Sequence, residues 1–212
     1  MLILLLAGGC HPLPPGSLDA AGSDPPRPRR GSVYLVRGWQ DLWSQGIDQL
    51  GSELRAAGVQ AEVYRESQWR ELSDRLVKRY RDKAANDPLV LIGFSYGGDD
   101  VLRISERMKE QGIRPDLVIT IDPVTPPAVP ANVRACYNYF QTNGVWDIFP
   151  WLRGIPLRSS VPGQLVNVDI RRERPDLLEP NTSHATIAGN EKLHREIVHR
   201  VLAVCPSRRA AG

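Results

Sequence analysis

Residues 88–93, PLVLIG, are an unbroken apolar run that passes through Gly93-Phe94-Ser95-Tyr96-Gly97 into a helix-patterned stretch, GGDDVLRISERMKEQG (97–112). A strand apolar at every position is buried on both faces, and parallel sheets covered by crossover helices meet that condition. The neighbouring segments agree. Short strand patterns fall at 32–38, 59–65, 116–122, 132–140 and 164–170. Helical spacing places Ile47, Leu50 and Leu54 on one face of 46–58, with Gly58 as its stop. Residues 67–85 stripe Trp69, Leu72, Leu76 and Tyr80 behind Ser67 as an expected N-cap, and 190–204 is the last helix pattern. Strands alternating with helices predict an α/β domain: a mostly parallel central sheet of about six strands, with helices on both faces.

The 212 residues suit one such domain, expected over 31–205. Before it, MLILLLAGGC (1–10) is an apolar run too short to span a bilayer and reads as part of a secretory signal. Its ending, LAGGC, resembles a bacterial lipoprotein box, which implies a lipid anchor at Cys10. The run departs from that pattern in having no preceding Lys or Arg, and Ala7 where Leu is usual. Residues 11–30, rich in Pro, Gly and Ser, read as a linker, and 206–212 as a basic tail. The location this implies is secreted or in the cell envelope, or cytoplasmic if the N-terminus is not a signal. With Cys10 set aside, Cys136 and Cys205 remain, either as a disulfide or as two buried thiols. The 27 basic residues nearly balance 24 acidic ones, without interleaved aromatic residues, so no nucleic-acid partner is expected. Neither metal-ligand spacing nor a phosphate loop occurs, and no cofactor is expected.

Gly93-Phe94-Ser95-Tyr96-Gly97 fits G-x-S-x-G, a common motif on its own. Between a buried strand and a helix it is the sequence of a nucleophile elbow, whose glycines let strand and helix approach. Here the chain resembles the α/β-hydrolase superfamily of serine esterases, lipases and thioesterases, over about residues 32–204. The resemblance implies Ser95 as nucleophile. It also implies an oxyanion hole from the Tyr96 amide with that of Gly38 or Trp39, at the end of the first strand. It places the base between the last strand and last helix, where His184 lies; His11 is in the linker, and His194 and His199 are inside the helix. The acid is left open between Asp122, in the position used by the pancreatic-lipase branch, Asp147, and Asp169. A long connection, 141–163, carries Trp146, Phe149, Trp151, Leu152 and Ile155 and serves either as a wall or lid over the serine or as a cover for the core edge. The expected activity is cleavage of a small-molecule or lipid ester or thioester through an acyl-enzyme. The alternatives are an acyltransferase using the same triad, or an inactive hydrolase-like envelope lipoprotein that binds a partner or lipid.

Overall fold

Six short strands, most of them rich in β-branched residues and leucine, build a sheet in which every neighbouring pair is parallel. The computed structural model describes residues 28–41, 44–81, 87–142 and 154–208. The strands are β1 (Ser32–Val36), β2 (Gln60–Tyr64), β3 (Leu89–Phe94), β4 (Leu117–Ile121), β5 (Cys136–Phe140) and β6 (Leu165–Asp169), in the order β2-β1-β3-β4-β5-β6. The helices are α1 (Gln45–Ala56), α2 (Trp69–Arg81), α3 (Tyr96–Lys109) and α4 (Glu191–Val204). The expected Ser67 cap is replaced: a 3-10 turn over Glu66–Gln68 precedes α2, and the Gln68 side chain accepts from the Arg65 amide.

Strand parity sorts the core into two layers. Val33, Leu35, Val90 and Ile92 pack with Ile47, Leu50 and Leu54 of α1 and Leu193, Ile197 and Val201 of α4. Tyr34, Val36, Leu91 and Val118 face the other way, onto Leu72 and Leu76 of α2 and Val101, Leu102 and Met108 of α3. Helices therefore cover both faces, and β3 is buried at all six positions.

The same parity overturns the disulfide. Cys136 opens β5 in the α2/α3 layer, whereas Cys205 caps α4 in the opposite layer. Both are free, buried thiols, with the sheet between them. Cys10 with its expected lipid anchor, the expected signal segment, linker residues 11–27 and the last four residues of the tail lie outside the described residues.

From β1 the chain adds β2 on one side, then crosses back to lay β3 on the other. The loops leaving the carboxyl ends of β1 and β3 diverge at that point. Open α/β sheets have their ligand crevice there.

Candidate active site

Ser95 joins β3 to α3 and has φ 54° and ψ −125°, a backbone conformation that side-chain-bearing residues rarely adopt. Packing on both sides enforces it. A Cβ on Gly93 would lie 2.1 Å from the Gly97 carbonyl oxygen, and one on Gly97 would lie 2.3 Å from that of Arg37. Only glycine allows the strand, the helix and the end of β1 to meet this closely. The Ser95 amide donates to the Ile121 carbonyl, tying the turn to β4.

His184 reaches the serine from the loop between β6 and α4. Its Nε2 lies 3.0 Å from Ser95 Oγ and its Nδ1 lies 3.1 Å from Asp122 Oδ2. Phe94 packs against the imidazole at 5.3 Å between ring centroids. His184 and Asp122 are buried, and Ser95 is 7% exposed. Three N–H groups converge on the Asp122 carboxylate: the Gln141 amide on Oδ1 (3.0 Å), and Gln141 Nε2 (2.9 Å) and His184 Nδ1 on Oδ2. Asp122 is thus an acceptor and Nδ1 carries the imidazole proton, which leaves Nε2 free to accept from Ser95 Oγ–H. The tautomer follows from this network.

Of the three aspartates left open by the sequence, the structure brings Asp122 to His184. Asp122 follows β4 at φ 47°, and its amide donates to the Tyr139 carbonyl of β5. Asp169 faces other partners, accepting from Thr142 Oγ1 (2.8 Å) and the Arg171 amide (3.1 Å) as it closes the turn after β6. Asp147 lies outside the described residues, as do Trp146, Phe149, Trp151 and Leu152. Among the described residues the other two histidines lie apart: His199 is exposed, and buried His194 contacts the Ala188 carbonyl and Glu53.

The loop after β1 is fastened before any substrate arrives. Buried Arg37 pairs with Asp48 of α1 at 2.6 Å and with Asp41 at 3.5 Å. Gln40 and Asp41 both have positive φ in the 3-10 turn Trp39–Asp41. This corrects one expectation. The Gly38 amide is spent on Ser44 Oγ at 2.9 Å and is not free to serve an oxyanion. Gly38 instead supplies room, since a Cβ there would meet Ser95 Cβ at 3.2 Å. Among the described residues the Trp39 and Tyr96 amides have no hydrogen-bond partner. Tyr96 is the first residue of α3, where an unpaired amide is inherent to the helix start.

Three residues escaped the sequence reading. Gln141 was visible only as a polar residue just after a strand pattern. Arg171 looked like one surface arginine among many. Gly154 touches Asp122, where a Cβ would fall 2.1 Å from Oδ1, a contact across 32 positions that no local pattern announces.

No protein-family model matches the chain, and no curated protein matches it. Several solved structures do. XC6422 from Xanthomonas campestris, described as an α/β serine hydrolase without a lid, is 16% identical over 87% of each chain, with a TM-score of 0.48. The NocB thioesterase domain, solved as a covalent complex with a fluorophosphonate nocardicin G analog, is 15% identical, covering 79% of this chain and 94% of its own, with a TM-score of 0.46. A cutinase-like protein from Cryptococcus sp. is 12% identical, covering 82% and 94%, also with a TM-score of 0.46. The fold is α/β-hydrolase-like. It stands on the parallel sheet order and on the elbow between β3 and α3.

Proposed function

We propose that this protein is a serine hydrolase that cleaves a carboxylic ester or thioester through an acyl-enzyme. The observation that carries the reading is the buried relay from Ser95 Oγ through His184 to Asp122, with contacts of 3.0 and 3.1 Å. In this reading Ser95 Oγ attacks the carbonyl carbon as its proton passes to His184 Nε2. Asp122 holds the imidazole in the required tautomer and stabilises its charged form. The oxyanion of the tetrahedral intermediate accepts from the Trp39 and Tyr96 amides, beside the positive end of α3. When the bond to the leaving oxygen or sulfur breaks, that atom takes the proton from Nε2. Water then gives its proton to Nε2 and attacks the acyl carbon; the Ser95 bond breaks and Oγ recovers the proton.

The test is labelling of the full chain with a fluorophosphonate, read by intact mass. Wild type should gain one adduct, Ser95→Ala none, and His184→Ala should label slower by about 10³-fold or more. A folded wild type that stays unlabelled would overturn the reading, and so would equal labelling of Ser95→Ala.

A further inference from the structure

We propose that Gln141 and Arg171 are positioning residues that set the orientation and strength of the Asp122–His184 pair; the proposal rests on the hydrolase reading above. Gln141 is fully buried at the end of β5, and each polar atom of its amide is committed. Nε2 donates to Asp122 Oδ2, and Oε1 accepts from Arg171 Nη2 at 2.9 Å. A guanidinium has only donors and a carboxylate here only accepts, so the amide fits in one orientation. Turned over, it would set oxygen against the carboxylate and NH2 against the guanidinium.

Arg171 carries the link further. The same Nη2 donates to the Thr182 carbonyl at 2.6 Å, two residues before His184. One guanidinium nitrogen therefore fastens both the partner of the acid and the loop that presents the base. The Arg171 amide is itself held by Asp169, which also accepts from Thr142, the neighbour of Gln141. The ends of β5 and β6 are thus locked together behind Asp122.

The consequence is chemical as well as geometric. Gln141 Nε2–H and His184 Nδ1–H share one oxygen, so the amide draws charge from the atom that must hold the imidazolium. Removing Nε2–H leaves Oδ2 to His184 alone. Asp122 then keeps only the Gln141 backbone amide to fix its plane.

The experiment compares the full-length wild type with Gln141→Met, Arg171→Met and Arg171→Lys. Two readouts are taken: kcat/KM against pH for 4-nitrophenyl acetate, and the low-field proton resonance of His184 Nδ1–H, assigned by its loss in His184→Gln. In Gln141→Met, kcat/KM should fall about tenfold, and the acid limb and the resonance should both move. Arg171→Met should move all three in the same sense by less, and Arg171→Lys should recover part of the loss. Arg171 lies at the surface, so its variants test the link with the core intact even if Gln141→Met does not fold. Variants with the wild-type rate, limb and resonance would overturn the proposal. If wild type turns over no 4-nitrophenyl acetate and takes no fluorophosphonate, the hydrolase reading fails, and the resonance alone decides the positioning: moved supports it, unmoved overturns it.

Discussion

Asp100, five residues beyond Ser95, is buried in α3 and faces Arg103, whose Nη1 lies 2.6 Å from its Oδ1. Its other oxygen has no partner among the described residues. Burial pushes its pKa from an ordinary 3.8 up to about 7; Glu66 and neighbouring Asp99 push the same way, and Arg103 opposes them. A carboxyl whose pKa rises on folding binds its proton more tightly in the native state. Its contribution to stability is complete below its unfolded pKa and is lost as pH climbs through about 7. Asp100→Asn removes that loss. Discounted for the partly exposed Arg103, the variant should be more stable than wild type at alkaline pH by about 1–2 kcal/mol, with the gap closing in mild acid. Urea unfolding at the two pH values checks this, and an unchanging gap would refute it. Burial also raises the pKa of Asp99, one position earlier, but its carboxylate accepts from the Val124 and Thr125 amides and the Thr125 hydroxyl, which oppose the rise. It binds the loop after Asp122 to the helix after Ser95, so acid and nucleophile share an anchor.

At the scale of elements, a polar ladder crosses β4, β5 and β6. Thr120, Asn138 and Asn167 are register partners on β4, β5 and β6. Thr120 Oγ1 donates to Asn138 Oδ1, and Asn138 Nδ2 donates to Asn167 Oδ1 and to the Ile155 carbonyl. Asn167 also exchanges two hydrogen bonds with the Leu157 backbone. Leu157 joins the α2/α3 layer, so residues 154–158 cover the β5–β6 end of that face. Of the long connection after β5, this portion is bound to the sheet, and it carries Gly154 to Asp122. Asn138→Leu should cost about 2–3 kcal/mol by stranding buried partners. It should also speed amide exchange at Ile155 and Leu157 more than in β1 or β3. Unaltered exchange in that segment would show that the ladder does not hold it. The strands themselves were legible. The apolar run at 88–93 becomes β3 at Leu89–Phe94, and the pattern at 164–170 becomes β6 at Leu165–Asp169, because periodicity is a local property. The cover over β5–β6 was not legible, since three amide and hydroxyl side chains on separate strands acquire a joint role only once the register is set.

Across the whole molecule, the sheet decides which distant residues can meet. It brings Ser95, Asp122 and His184 from the ends of β3, β4 and the loop after β6 to one edge, an arrangement that the hydrolase resemblance implied for Ser95 and His184 and left open for the acid. It also holds Cys136 and Cys205 apart, which their even count could not reveal, because the face a strand residue takes depends on parity and layer. Burial pushes both thiols up to about 12, so neither carries a thiolate near neutral pH, and alkylation needs the thiolate. Iodoacetamide at mildly alkaline pH should therefore leave the peptides containing Cys136 and Cys205 unmodified in the native chain and modify both after denaturation. Dithiothreitol should leave the thermal midpoint unchanged, since no cross-link between these residues restrains the unfolded chain. A midpoint that falls on reduction, together with protection of both peptides in denaturant until reductant is added, would mean that the two cysteines do bridge and that α4 packs on the sheet differently from the arrangement described.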